Sequence, residues 1–215
     1  GVAVRDGIAY VADDDHGLEV VDVHNPLAPK LIANLPTPGL AYIPKLVGDT
    51  LYLAGHRGGL QIIDVKDPAK PRLITSVVTP GMAWGIAVVD GVAFVADDQA
   101  GLLTLDVKDP AHVRTLGQFN PNGRAEDVVV EGGIAYVSFF DQGLYVLDVH
   151  DPAAPKPLAQ LQTPGNARGL ALQNDRLYLA DWLAGVEGID VHDPAHPQLL
   201  GSYDTPGAAW GVNAE

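Results

Sequence analysis

The seven residues Gly17-Leu18-Glu19-Val20-Val21-Asp22-Val23 return in altered form at Gly59, Gly101, Gly143 and Gly185. Every step is 42 residues, and no insertion or deletion breaks the register from Gly7 to the C-terminus. A period of this size means one supersecondary unit repeated, and it decides the fold before any other feature is weighed. Working outward, tight-turn pairs stand at Asp6-Gly7, Gly48-Asp49, Asp90-Gly91, Gly132-Gly133 and Asn174-Asp175. Such pairs between apolar runs signal hairpins, because the tight turn needs positive φ. Asn25-Pro26, Asp67-Pro68, Asp109-Pro110, Asp151-Pro152 and Asp193-Pro194 close the third run of each unit. Thr37-Pro38-Gly39 and its copies, degenerate at Pro121-Asn122-Gly123, separate one unit from the next. Proline cannot donate to a ladder and pushes its predecessor out of helical space, so these are strand ends.

Four short β-branched and apolar runs lie between the breaks, in the third unit Trp84–Val89, Val92–Ala96, Leu102–Val107 and His112–Phe119. None has a sustained helical period. The pattern predicts an all-β five-bladed β-propeller with four antiparallel strands per 42-residue blade; a β-solenoid, with shorter repeats and no tight hairpins, fits less well. The blades fall at about 1–38, 39–80, 81–122, 123–164 and 165–206 of a single domain over 1–215, and residues 207–215 repeat the phase of the N-terminal strand. Matched phase at the two ends predicts a ring that closes, with Gly1–Arg5 and Gly211–Glu215 side by side and only one of them completing the first blade. A cut from a larger ring would leave the same overlap.

Leu18–Asp22, Leu60–Asp64, Leu102–Asp106, Leu144–Asp148 and Val186–Asp190, with Ala-Tyr-Val-Ala before and Asp-Pro-x-x-Pro after, resemble the LVIVD repeat. The resemblance covers essentially the whole chain. It implies a β-propeller, commonly in secreted or cell-surface proteins of bacteria and archaea, and no defined activity. Two departures, Gly188 in the fifth copy and Val113 in place of a proline in the third, leave the fold unthreatened.

Thirteen basic against 27 acidic residues give a net charge of −14, a field that repels nucleic acid and anionic membranes. No apolar stretch is long enough for a helical membrane span. There is no cysteine, hence no disulfide and no thiol chemistry. Beginning at Gly1 with no leader segment, the chain reads as a processed or trimmed product.

One end of the strands repeats the same turn chemistry five times and reads as structural. Asp22, Asp64, Asp106, Asp148 and Asp190 recur in every copy, and a catalytic residue needs one correct copy, so they are expected to bind backbone. His24, Lys66, Lys108, His150 and His192 read as a solvated surface or as a pH-sensitive docking face.

The other end carries the variation. Where the innermost strand enters the ring, counting by 42 gives Tyr42, Trp84, Glu126, Arg168 and Trp210, with Arg124 and Asn166 close by. Three aromatics, an acid and a base around a channel mouth suit a sugar ring, a peptide or another flat amphipathic ligand. The same residues also suit an axial plug with Glu126 paired to Arg168. The loop after the second strand contributes His56, Asp98 and Trp182. It also holds Asp13, Asp14 and Asp15 in the first blade and Asp97 in the third, a carboxylate set that suits Ca²⁺ or, equally, plain turn capping. No nucleophile elbow or phosphate-cradling loop occurs. The reading is a secreted or surface-displayed binding module with a protein, peptide or glycan partner and no assigned catalytic residue. The alternatives are a glycan hydrolase pairing Glu126 with Asp14 or Asp98, resting on fold analogy, and a structural subunit of a surface assembly.

Overall fold

The computed structural model describes residues 1–214 and contains twenty strands. The first blade is β1 (Val2–Arg5), β2 (Ile8–Ala12), β3 (Leu18–Asp22) and β4 (Lys30–Leu35). The second is β5 (Ile43–Val47), β6 (Thr50–Ala54), β7 (Leu60–Asp64) and β8 (Arg72–Val77). The third is β9 (Gly85–Val89), β10 (Val92–Ala96), β11 (Leu102–Asp106) and β12 (Arg114–Phe119). The fourth is β13 (Ala125–Glu131), β14 (Ile134–Phe139), β15 (Gly143–Asp148) and β16 (Lys156–Leu161). The fifth is β17 (Leu170–Gln173), β18 (Arg176–Ala180), β19 (Val186–Asp190) and β20 (Gln198–Tyr203). Each sheet is a simple antiparallel meander of four neighbours, and the fold is a five-bladed β-propeller.

Local chemistry explains the blade. Asp6 and Gly7 both take positive φ (49° and 70°), so the strands they join pair in tight register from Arg5↔Ile8 to Val2↔Val11. Gly7 must be glycine for a second reason: a Cβ there would lie 2.6 Å from the His24 ring, which folds over the turn. The register slips once between the third and fourth strands of every blade, at Val20/Val21, Ile62/Ile63, Thr104/Leu105, Val146/Leu147 and Gly188/Ile189. A bulge repeated in this way adds twist to the outer strand. The repeated aspartates do bind backbone: Asp22, Asp64, Asp106, Asp148 and Asp190 each accept from the N–H two residues on, at 2.9–3.2 Å. Those bonds come first among the causes that hold all five carboxyls below the usual range.

Blades are joined by apolar seams. Leu18 and Val20 pack on Leu51, Leu53 and Ile63, and equivalent clusters join blades two to three, three to four and four to five. The closed ring expected from the phase of the ends is not completed by a fifth seam: among the described residues no buried cluster joins blade five to blade one. Val2 is 60 % exposed, whereas its counterparts one or more repeats away, Ile86 and Leu170, are 3 % and 6 % exposed. Tyr203, on the outer strand of blade five, is 71 % exposed, whereas its counterparts Leu35, Val77, Phe119 and Leu161 pack against seams.

The two ends divide as expected in one respect. The N-terminal strand completes blade one. The C-terminal segment follows blade five instead, where Gly169 N–H donates to Trp210 O (3.2 Å) and Gly211 lies against Gly169. Glu215 lies outside the described residues.

Candidate functional site

Each blade hands one loop residue to the next. Asp14, His56, Asp98 and Trp182 take left-handed backbone (φ 48–51°), and their main chains bridge to Ala41, Ala83, Ala125 and Ala209 in the following unit. Phe140 makes the same junction by accepting from Ala167 N–H at 3.0 Å. Left-handed φ is uncommon for a bulky side chain and persists where its surroundings over-determine it; here two-way main-chain bonds do so for Asp14, His56 and Asp98. The residue after each alanine is the ring-entry position. The mouth is therefore a circle of five junction pairs: Asp14 with Tyr42, His56 with Trp84, Asp98 with Glu126, Phe140 with Arg168, and Trp182 with Trp210.

Two halves differ in chemistry. On one side Tyr42, His56 and Trp84 form a triangle of rings with centroids 4.8–5.4 Å apart. On the other, Phe140, Trp182 and Trp210 surround a guanidinium: the Arg168 Cζ lies 4.7, 4.3 and 4.0 Å from the three rings. Arg168 also donates to Glu126 at 3.1 Å, both side chains being nearly buried. Burial raises the Glu126 carboxyl above its ordinary value against the pull of Arg168, and burial lowers the Arg168 guanidinium. Burial likewise lowers His56, with Arg57 adding to it and Asp98 and Asp14 opposing, which favours the neutral ring.

A cavity of about 290 Å³ opens between the halves, and its wall includes Tyr42, Trp84, Glu126, Arg168 and Trp210, the five ring-entry residues singled out from the sequence. Trp84 Nε1 and Arg168 Nε are buried donors with no hydrogen-bond partner. Both expected features, an aromatic wall and an ion pair of Glu126 with Arg168, coexist. Below the mouth a second cavity, of about 370 Å³, runs between the inner strands of blades two to five and the C-terminal residues Asn213 and Ala214.

Arg124 pairs with Asp141 (3.2 Å) and stacks over Phe140 (4.1 Å), outside the cavity wall. Asn166 donates to Phe140 O. Asp13 and Asp15 face His16 (3.4 and 3.1 Å). Asp97 is taken up by Thr79 Oγ1 and by Gly81 N–H at 2.8 Å, a latch that Asp181 repeats with Thr163 and Gly165. Asp13 and Asp15 thus pair with His16 in the first blade and Asp97 forms its latch in the third, while Asp14 stands at the junction to Ala41; among the described residues no group of three or more His, Asp or Glu is placed to hold a metal ion.

Two residues at the mouth stand outside the predicted site: Phe140, whose loop belongs to the same variable set, and Asp127. Phe140 stands in the same 42-residue series as His56, Asp98 and Trp182 and was legible by counting. Asp127 was not. It sits on a bulge of β13 and accepts from Leu170 N–H (2.9 Å) in the next blade and from Val128 N–H (2.8 Å). Burial pushes its carboxyl up to about 6, with those two bonds pulling the other way.

The family model described as the LVIVD repeat matches residues 1–37, 45–79, 80–120, 122–163 and 164–205. Among curated protein sequences none matches the chain. Among solved structures it is similar to a functionally unknown protein from Desulfotomaculum acetoxidans, at 14 % identity and TM-score 0.78 over 99 % of this chain and 73 % of that one. It is also similar to the computationally designed Ika8 protein, at 11 % identity and TM-score 0.75 over all of this chain; the chain spans less than two thirds of that protein's length, 64 %. Likeness at these identities concerns the fold alone.

Proposed function

We propose that this chain, which belongs to the LVIVD-repeat family, is a binding module that holds an amphipathic ligand, a glycan or an exposed peptide of a partner protein, at the channel mouth. The observation that carries the reading is a cavity of about 290 Å³ walled by two tryptophans, a tyrosine and the Glu126–Arg168 ion pair. Flat ring faces beside a fixed ion pair suit a ligand that is apolar on one side and polar on the other. Variation supports the same reading. The scaffold keeps every length constant, yet the ring-entry position holds four residue types in five copies. We place the module outside the cell, secreted or surface-displayed, in keeping with the family resemblance and the acidic, cysteine-free composition.

Hydrolysis is not favoured. Glu126, the carboxyl such a reaction would need as proton donor, is held by Arg168.

A glycan and peptide array probed with the full chain tests the proposal. Ligands found there should bind Trp84→Ala and Trp210→Ala about 5- to 150-fold more weakly, the span expected for ~1–3 kcal/mol of ring stacking, with melting temperatures within a few degrees of the parent. Unchanged affinity with a large fall in melting temperature would make the tryptophans axial packing and end the proposal.

A further inference from the structure

The geometry points to the Tyr42–His56–Trp84 half of the mouth as a receptor for an organic cation, best an alkylated ammonium group. This rests on the mouth being a ligand site and adds the chemical class of the group that half takes.

The two halves are variations on one scaffold, and one shows what such a half does. Three rings drawn from positions of the 14 and 42 series surround Arg168, so the chain supplies its own cation there. The opposite triangle is built from the same two series, with its rings 4.8–5.4 Å apart where those around Arg168 are 4.6 and 6.5 Å apart, and no Lys or Arg lies over its faces among the described residues. Aromatic faces carry negative charge density and attract a cation within about 6 Å.

Electrostatics favours the same occupant. Going round the mouth, the triangle stands between Asp14 on one side and Asp98 on the other, and the charge of both reaches His56. Neither belongs to an ion pair in the described structure. Two arginines nearby are committed elsewhere, Arg124 to Asp141 and Arg168 to Glu126. Two groups oppose a bound positive charge: Arg57, an exposed cation beside His56, and the N-terminal amine of Gly1, which lines the same cavity next to Tyr42. Burial lowers the His56 imidazole and so favours the ring form that does not repel a cation. The whole chain carries −14, which raises the local concentration of any cation. An alkylated ammonium suits the site better than a metal ion. Its methyl groups pack on rings, and no cluster of three ligating groups is present among the described residues to replace a hydration shell.

The test is a pair of titrations of the full chain, followed by tryptophan fluorescence, with choline and with 3,3-dimethylbutanol, its uncharged isostere. Choline should bind at least about 2- to 30-fold more tightly than the alcohol, the range a cation–π contact supplies. Asp98→Asn should weaken choline and leave the alcohol unchanged, and Arg57→Ala, at an exposed position that carries no fold risk, should tighten choline. Equal binding of the two probes, no choline binding, or indifference of choline to both substitutions would overturn the inference. Array ligands that still depend on Trp84 would, in those cases, leave the binding module standing; if no such ligand exists either, both readings fall.

Discussion

Glu187 and Glu19 occupy the same position of the repeat, on the blade face turned toward the preceding blade, and their fates differ. Glu187 faces the fourth blade across a sealed seam and is fully buried, with neither carboxylate oxygen hydrogen-bonded. Glu19 faces the junction where no seam forms and is only partly buried. Val2 differs from Ile86 and Leu170 in the same way. One scaffold therefore makes a side chain core at four junctions and surface at the fifth. Burial here belongs to the neighbouring blade, not to the residue or its strand.

Matched substitutions give the largest expected contrast. Ile86→Ala and Leu170→Ala should each cost about 2–5 kcal/mol, as buried aliphatics do, while Val2→Ala should stay within about 0.5 kcal/mol. Urea unfolding of the three variants measures this. An equal loss at Val2 would show that blade one is covered in solution and would break the comparison.

A second contrast concerns Asp127, whose carboxyl crosses the sealed junction to Leu170. Its pKa is raised from 3.8 to about 6. A group raised on folding contributes stability that is fully present below its unfolded pKa and is lost as pH rises through the folded value. At 1.36 kcal/mol per unit, that contribution is about 3 kcal/mol, lost between roughly pH 4 and 6. The paired aspartates of the opposite face, lowered on folding, act with the other sign and lose their contribution on acidification. The difference between the parent and Asp127→Asn, measured by urea midpoint at pH 3.5 and 7, isolates the effect. A difference independent of pH would show that Asp127 does not titrate in this range.

Glu187→Gln should stabilise by about 1–3 kcal/mol, the cost of an unsatisfied buried polar group. Gln61, at the same repeat position, shows the alternative: its amide donates to Pro38 O. Because burial raises the Glu187 carboxyl, the gain should grow as pH rises above about 4.5 and shrink below it. Glu19→Gln should change thermal stability by less than a degree or two, about the effect of 0.5 kcal/mol in a domain of this size. Comparable gains from the two substitutions would contradict the difference in burial.

Much of the fold was legible because it is local. Asp90-Gly91 is followed by a strand beginning at Val92, as the turn pair requires, and Leu102–Val107 differs from the observed Leu102–Asp106 only at its last residue. The Asp22 series binds backbone two residues on, an interaction written within three residues of chain. The ring-entry residues were found by counting, since equal repeats place equal positions around one axis. What escaped depends on partners distant in sequence. Asp97 looks like a cation ligand until Thr79 and Gly81, on the connection from the preceding blade, donate to it. Asp127 looks like one more surface acid until a bulge turns it toward Leu170.

By itself, then, the sequence determined the blade: its strands, its turns and the circle of variable positions, all set by a 42-residue repeat acting through short-range backbone constraints. Only the tertiary structure decided which of those positions are core, which cation fills one half of the mouth, and which junction stays unsealed. Those outcomes depend on side chains from adjacent blades meeting across a seam, and such meetings have no signature within a single repeat.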